Sequence, residues 1–214
     1  EARGEFLAFF DDDDISNAER LFLQWSRIIN YEKKFSKGSP VICHTSRTQF
    51  YPRGKTRIES TMGQNTLEIA PNGISVVERI LLGKPVKNAY GSCATCSQMA
   101  RTLSYKLVGG FDSNLRRSED TDIVIRLAMK GAHFIGISDP LVSQIMTFTP
   151  DKTSNDEYDN MLKIITKHKS FINQYGNFNF SLKWLKLKYE INKSSKIFFL
   201  MRLFKIFLIH PIYT

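Results

Sequence analysis

The stretch GEFLAFFDDDDIS, from Gly4 to Ser16, places four consecutive aspartates directly after a run of five apolar residues. The apolar run FLAFF is short and continuous, which is typical of a strand covered on both faces of a sheet. After the aspartates, apolar side chains recur at intervals of three and four from Ala18 to Ile29, which predicts a helix. The four acids are therefore predicted to occupy a loop between a buried strand and a helix.

Four acids at the end of a strand indicate a cation site. Carboxylates at close spacing repel one another, and a hard divalent cation relieves the repulsion by taking their oxygens as ligands. At the carboxyl edge of an α/β sheet, where ligands usually bind, such a cation could clamp a diphosphate and stabilise it as a leaving group. A plain solvated acidic run is the alternative, but capping the next helix needs fewer than four acids.

The following segments alternate between predicted strands and helices. Strands are predicted at PVICHT (40–45), YGSCATCSQM (90–99) and HFIGIS (133–138), and helices at ISVVERILLG (74–83), ARTLSYKLV (100–108) and SEDTDIVIRLAMKG (118–131). The alternation predicts an α/β layer fold. The polar segment 46–73 is predicted to be a long loop, and its cations are equally compatible with phosphate contact and with simple solvation.

The chain of 214 residues has a formal net charge of +9 at pH 7, and that charge is concentrated in its last quarter. Residues 161–214 hold ten Lys or Arg and one acid. The apolar run 197–209 contains two cations and is too short to cross a bilayer, which needs about 20 apolar residues. It is predicted to lie along a membrane surface. The charge is accompanied by no nucleic-acid motif, so nucleic acid is not an expected partner.

Three cysteines, Cys43, Cys93 and Cys96, form an odd set that favours a reducing compartment. The C-x-x-C spacing of CATC also occurs in zinc sites, but Cys43 and His44 are the only plausible further ligands. Buried thiols in a tightly packed strand are therefore the favoured interpretation.

A second motif, GGFDSNLRRSEDTDIVIRLAMKG from Gly109 to Gly131, specifies the chemistry. Together with ARGEFLAFFDDDD it resembles glycosyltransferase family 2, the inverting enzymes of the GT-A fold. In that family a D-x-D strand end is followed by a G-G-F-D turn and by an E-D pair that opens a helix. The resemblance covers Ala2 to Leu141.

The resemblance implies an α/β fold with a Rossmann-like mixed sheet of GT-A type flanked by helices. We expect a glycosyltransferase domain at residues 1–150 and a helical, basic, amphipathic extension at residues 151–214. Family members normally begin with a strand and helix that carry the nucleotide-base pocket. This sequence begins just before the D-x-D motif, so a partial, N-terminally truncated domain is expected.

The resemblance also assigns roles to the first acidic motif. Asp11 and Asp13 match the D-x-D. Asp13 would be the direct ligand of Mg²⁺ or Mn²⁺, and Asp11 would contact the metal or the ribose of the nucleotide donor. Asp14 would assist them, and Asp12 occupies the variable middle position of the motif.

In the E-D pair, Asp120 is similar to the general base of the family and Glu119 to the residue that places the acceptor. A base at the start of a helix is physically reasonable, since the helix N-terminus favours the ionised carboxylate. Asp122 is spaced i, i+4 from Arg126, which predicts a surface ion pair rather than a catalytic role.

The implied enzyme moves a sugar from a nucleotide-diphosphate donor to a hydroxyl of a glycan or lipid-linked glycan, in cell-surface polysaccharide synthesis. A cytoplasmic location is expected, peripheral on the inner face of the membrane through the basic tail. Two alternatives remain. One is a phosphatase of the haloacid dehalogenase type with Asp11 as nucleophile, although its later G-D-x-x-x-D acids are not evident. The other is a non-catalytic membrane-surface module bound through residues 181–209.

Overall fold

The computed structural model describes residues 2–115, 117–146, 154–190 and 196–210. The chain forms two compact units. The first comprises Glu1–Ile80, Lys84–Asp112 and Glu119–Thr147, and the second comprises Leu81–Gly83, Ser113–Ser118 and Phe148–Thr214. The predicted domain boundary at residue 150 lies outside the described residues.

A mixed sheet organises the first unit. Its strands are β1 (Phe6–Ala8), β2 (Ile15–Ser16), β3 (Val41–Phe50), β4 (Thr56–Glu59), β5 (Met99–Arg101) and β6 (His133–Ile145). The order across the sheet is β1-β5-β3-β6-β2, and β4 also pairs with β3. Strands β3 and β6 are parallel, whereas the other pairs are antiparallel.

Eight helices accompany the strands within the described residues. They are α1 (Arg20–Tyr31), α2 (Gly73–Leu82), α3 (Thr102–Leu107), α4 (Glu119–Met129), α5 (Ser154–Lys167), α6 (Lys169–Tyr175), α7 (Phe178–Glu190) and α8 (Lys196–Ile209). The helices predicted from the periodicity of residues 18–131 are confirmed as α1 to α4. The predicted α/β class is confirmed as well.

The core of the first unit lies on the parallel pair β3 and β6. Ile28 and Tyr31 of α1 pack there against Val41 of β3 and Ile135 of β6. The segment before α2 also presses closely on β6, because a Cβ added at Gly136 would lie 2.4 Å from the backbone oxygen of Met62. Such close approach requires glycine at this position.

Strand β1 differs from the prediction that the apolar run would be a strand covered on both faces. It is an edge strand that pairs only with β5 in the described sheet, and its residues are half-buried rather than covered on both faces. Phe6 and Ala8 nevertheless pack against the core, and the Phe9 ring meets Tyr105 at 5.2 Å.

The predicted loop 46–73 and the predicted strand 90–99 are also wrong in part. Strand β3 continues to Phe50 and forms a hairpin with β4, and CATC lies in an irregular segment with a 3-10 turn at Thr95–Ser97. The extension of β3 was not predicted because its side chains are polar; some of them are bonded to other side chains inside the sheet, as Arg47 is to Glu59 and Gln49 is to Gln144. Strand β6 likewise continues beyond Ser138, where the predicted strand ended, through Asp139 and Pro140. Its register against β3 shifts there, and such an irregularity can accommodate proline, which has no backbone N–H to donate.

Helix α1 buries a different face from the one predicted. Leu21, Phe22 and Trp25, which belong to the apolar stripe of the predicted helix, are exposed. The buried positions of the first two turns are Arg20 and Gln24. Polar residues can occupy this face because each finds hydrogen-bond partners inside the protein.

Asp122 and Arg126 form the predicted i, i+4 ion pair, with Oδ2 of Asp122 2.7 Å from Nε of Arg126, but the pair is not on the surface. The Asp122 side chain is fully buried. Nη1 of Arg126 also donates to the carbonyl of Val108 at 2.6 Å, so the pair ties α4 to the end of α3.

Replacing Asp122 with Ala is therefore expected to lower the free energy of unfolding by about 2 to 4 kcal/mol, because it strips a largely buried guanidinium of its carboxylate. Urea denaturation measures the change. The exposed Asp139→Ala variant is the control and should stay within about 0.5 kcal/mol of the parent protein. An equally small change in Asp122→Ala would contradict the structural role of the pair.

In the second unit, helices α5 to α8 pack through buried apolar residues. These include Ile164, Phe171, Ile172, Leu185, Leu187 and Ile206. The tail is therefore helical where it is described, as predicted. Among the described helices, none has the length and apolar character needed to span a bilayer.

Candidate active site

The four aspartates lie between β1 and β2 in a tight turn. The backbone N–H of Asp14 donates to the carbonyl of Asp11 at 3.2 Å, which brings the first and last acids of the run together. One carboxylate oxygen of Asp11, one of Asp14 and the Sγ of Cys96 all lie within 4.8 Å of one another. Asp12 and Asp13 are exposed on the same turn.

The carboxylate of Asp14 is the most unusual group of the turn. Both of its oxygens are shielded from solvent, and neither accepts a hydrogen bond of normal geometry from the described residues. Burial raises the pKa of Asp14, the neighbouring thiol of Cys96 lowers it, and the charges of Asp11 and Asp13 raise it. A buried carboxylate without partners is costly, so this one is suited to binding a proton or a cation.

Asp11 and Asp13 are close enough to influence each other. Burial raises the pKa of Asp11, and the charge of Asp13 raises it further. Asp13 is thus part of the acidic group, although its carboxylate is outside the Asp11, Asp14 and Cys96 cluster. Its role as a direct metal ligand stays a prediction, as do the other roles taken from the family.

Beneath the turn, Arg20 fixes the end of β1. Its buried guanidinium donates through Nη2 to the carbonyl of Phe9 at 2.9 Å and through Nε to Oε1 of Gln24 at 3.0 Å. Gln24 in turn donates to the carbonyl of Cys43 in β3 at 3.0 Å. Sequence reasoning missed this support. The sequence signal that could have revealed it is that Arg20 and Gln24 are spaced i, i+4 and so lie on one face of α1, away from its apolar stripe.

A second buried cation, Arg47 of β3, lies beside the acids. Its Nη1 donates to Sγ of Cys96 at 3.3 Å and to Oε1 of Gln144 at 3.0 Å, and its Nη2 pairs with Glu59 of β4. The other cations of the predicted loop, at positions 53, 55 and 57, are exposed. Of the four, Arg47 is therefore the one held in a fixed place.

Asp120 is the second residue of α4, directly after Glu119, and both are partly buried. Oδ1 of Asp120 accepts hydrogen bonds from the backbone N–H of Thr121 at 2.6 Å and from its Oγ1 at 3.2 Å. Burial raises the pKa of Asp120, and the bonds from Thr121 and the charge of Arg47 lower it. The net direction is upward, which makes the carboxylate a stronger base than an exposed one.

One ring contact and one shared electrostatic influence relate the two acidic motifs. Phe111 of the G-G-F-D turn packs edge-on against Phe9, which precedes the aspartate turn, with ring centroids 5.2 Å apart. The charge of Arg47 also opposes the burial that raises the pKa of Asp11, Asp14 and Asp120. One guanidinium is therefore within electrostatic range of both motifs.

The cysteines remain free thiols. Burial raises the pKa of Cys43 and Cys93 to about 12 and that of Cys96 to about 11, so all three are protonated at neutral pH. In the described part of the chain, the one cluster suited to a metal combines Cys96 with two aspartates, not with the zinc ligands considered from the sequence. Cys43 and Cys96 are buried and Cys93 is partly buried; Cys43 lies in β3, whereas Cys93 and Cys96 lie outside the regular strands.

No protein-family model and no curated protein matches the chain. Among solved structures, the crystal structure of S. aureus TarS 1–349 matches with a TM-score of 0.50 and 18% identity, covering 91% of this chain and 49% of that one. A second crystal structure of TarS matches with a TM-score of 0.50 and 18% identity, covering 89% and 29%. TarS 1–349 in complex with UDP-GlcNAc matches with a TM-score of 0.45 and 15% identity, covering 88% and 50%.

The match shows that this chain has the GT-A-like mixed α/β fold of its structural neighbours. The predicted fold class is thereby confirmed. The chain spans 49% of the TarS 1–349 structure and 29% of the longer one.

Proposed function

We propose that the protein is an inverting glycosyltransferase that moves a sugar from a nucleotide-diphosphate donor to a hydroxyl of a glycan or lipid-linked glycan. Cell-surface polysaccharide synthesis is the setting that the family resemblance favours. The observation that carries the proposal is the contact between the two acidic motifs on a GT-A fold, made by Phe9 with Phe111 and supported by the shared charge of Arg47.

The aspartate turn fits Mg²⁺ or Mn²⁺. Asp11 and Asp14 offer oxygens within 4.8 Å of each other, and the Asp14 oxygens have no hydrogen-bond partner among the described residues. Hard oxygen ligands suit these ions, whereas the protonated thiol of Cys96 does not. We assign Asp11 and Asp13 as ligands from the motif, with Asp14 alongside. When bound, the ion would stabilise the negative charge of the departing diphosphate.

Asp120 would act on the acceptor. Its carboxylate takes the proton of the attacking hydroxyl while that oxygen forms the bond to the anomeric carbon and the bond to the diphosphate breaks. The raised pKa strengthens Asp120 as a base, and the nearby charge of Arg47 favours the ionised form of its carboxylate. Glu119, one residue earlier, would hold the acceptor hydroxyl in place.

Binding of nucleoside diphosphates in the presence of Mn²⁺ tests this assignment. Calorimetry across a panel of nucleoside diphosphates should find at least one that binds only when Mn²⁺ is present. Asp11→Asn, Asp13→Asn and Asp14→Asn should each weaken that binding by about tenfold or more, since each removes a carboxylate from the ion.

Asp12→Asn is the matched control, because it removes the same charge from the same turn at an exposed position outside the motif. It should bind nearly as well as the parent protein. Metal-independent binding, or an equal loss in Asp12→Asn, would mean that the turn acts only through its net charge.

A further inference from the structure

Tyr105 of α3 is buried and lies against the segment that leads into the aspartate turn. Its ring meets the ring of Phe9 edge-on, with centroids 5.2 Å apart, and Phe9 is two residues ahead of Asp11. Edge-to-face aromatic pairs are directional, so the Tyr105 ring limits where the Phe9 ring can lie. The position of Tyr105 therefore affects where the aspartate turn begins.

The backbone of α3 reaches the second acidic motif. The carbonyl of Tyr105 accepts a hydrogen bond from the backbone N–H of Gly110, in the G-G-F-D turn, at 2.9 Å. Close to the end of α3, the carbonyl of Val108 accepts a hydrogen bond from Nη1 of Arg126 in α4 at 2.6 Å. Helix α3 is thus fastened to α4, whose first turn contains Asp120. Tyr105 consequently connects the aspartate turn with the helix that carries Asp120.

A buried relay of hydrogen bonds fixes the Tyr105 side chain. Its hydroxyl donates to Oε1 of Gln98 at 2.9 Å, and Nε2 of Gln98 lies 2.9 Å from Nε2 of His44. Since the amide oxygen of Gln98 accepts from Tyr105, its amide nitrogen donates to His44, whose Nε2 carries no proton. Burial and the charges of Arg47 and Arg20 lower the pKa of His44 to about 3. The imidazole is therefore neutral, and the relay keeps one direction of donation at neutral pH.

The same relay holds Phe9. The backbone N–H of Phe9 donates to the carbonyl of Gln98 at 3.0 Å, and the Phe9 ring also meets Phe111 of the G-G-F-D turn at 5.2 Å. The Phe9 ring is therefore in contact with two aromatic rings, those of Tyr105 and Phe111. Loss of either ring would leave space into which Phe9 can move, and the start of the aspartate turn would move with it.

We propose that Tyr105 is a positioning residue for sugar transfer, which holds the aspartate turn and the start of α4 at the separation that the reaction needs. The inference rests on the proposed function, in which the diphosphate departs at the turn while Asp120 takes the proton of the acceptor hydroxyl. Both events occur at one anomeric carbon, so a displacement of about 1 Å between the two motifs lowers turnover by up to about 10²-fold. Tyr105 acts through Phe9 and α3 rather than on the substrate.

Turnover and nucleotide affinity of Tyr105 variants test the proposal. Tyr105→Leu removes the ring and should lower kcat by about 10 to 10²-fold. Its Mn²⁺-dependent affinity for the nucleoside diphosphate should change little, because the aspartates are kept. Tyr105→Phe keeps the ring and should retain most of the turnover, although it lowers the urea midpoint by leaving Oε1 of Gln98 without its donor. Release of nucleoside diphosphate from a panel of UDP-, GDP- and dTDP-sugars, with soluble oligosaccharides as acceptors, measures kcat.

Further variants separate positioning from folding. Tyr31→Leu is the matched control, since Tyr31 is a buried tyrosine of α1 whose hydroxyl is hydrogen-bonded to His133. It should lower stability and leave kcat unchanged. Phe111→Leu removes the second ring from a partly buried position and should reduce kcat as Tyr105→Leu does. The double variant of Tyr105 and Phe111 should lose little more turnover than the worse single variant, because both rings act through Phe9.

Circular dichroism checks that each variant is folded, and if Tyr105→Leu does not fold, Phe111→Leu compared with Tyr31→Leu decides the outcome. A parental kcat in Tyr105→Leu and Phe111→Leu would overturn the positioning role and leave the transferase in place. Independent losses that multiply in the double variant, or an equal loss in Tyr31→Leu, would overturn it as well. A parent chain that neither binds a nucleoside diphosphate with Mn²⁺ nor releases one would overturn the proposed function, and this inference with it.

Discussion

Asp120→Asn is expected to lower sugar transfer by about 10² to 10⁴-fold, which is the usual contribution of a general base. Asparagine keeps the shape of the side chain and can still accept the hydrogen bonds from Thr121, but it cannot take the proton of the acceptor. The loss should appear in kcat, measured as release of the nucleoside diphosphate in the presence of acceptor. Affinity for the nucleoside diphosphate with Mn²⁺ should change little, because Asp120 does not act on the donor.

Asp139→Asn is the control for this experiment, since Asp139 is an exposed acid elsewhere in the first unit. It should leave both turnover and nucleotide binding unchanged. Transfer by Asp120→Asn at the parental rate would remove Asp120 from the mechanism. Loss of nucleotide binding together with turnover would instead assign it to the donor side.

Arg47→Gln is expected to move the acidic limb of the activity profile to higher pH. Burial raises the pKa of Asp120, and Arg47 is a cation that lowers it. Without that cation the pKa rises further, so a higher pH is needed before the base is ionised. Measuring kcat between pH 5 and pH 9 on purified variants would reveal the shift, which a change in folded fraction alone would not produce.

The same substitution should also destabilise the protein by about 2 to 3 kcal/mol. It leaves Glu59 without its guanidinium partner, and the effect is moderated because the Glu59 side chain is 25% exposed. Arg47→Lys keeps the charge and should preserve the pH profile better than Arg47→Gln. Arg57→Gln removes an exposed cation of β4 and should change neither property. An unshifted acidic limb in Arg47→Gln would contradict the electrostatic link between Arg47 and Asp120.

The periodicity of apolar residues was sufficient to predict a helix where the buried residues form an apolar stripe. Helix α4 begins at Glu119 and ends near Gly131, whose backbone has a φ of 78°, as the acids and the glycine at its ends indicated. The aspartate turn also follows a strand, as expected, although the short strand β2 lies between the turn and α1. In both cases the signal was local, since it came from residues within a few positions of one another.

Contacts distant in sequence could not be predicted in this way. The partners of Arg47 include Glu59, Cys96 and Gln144, and only the folded chain brings them together. The polar second half of β3 was therefore predicted to be part of a loop. The burial of Arg20 could not be predicted either, because it depends on the hydrogen bond to the carbonyl of Phe9, which only the fold reveals.

The central claim is that the aspartate turn and the acidic start of α4 form one site that binds a metal ion and a diphosphate. Crystals grown with Mn²⁺ and the nucleoside diphosphate that binds best would test it through the anomalous signal of manganese. The account predicts a single strong peak at the Asp11–Asp14 turn, bridging to the diphosphate, with the Asp120 carboxylate facing the same cavity. A manganese peak away from that turn, or a bound nucleotide on a face that Asp120 does not share, would contradict it.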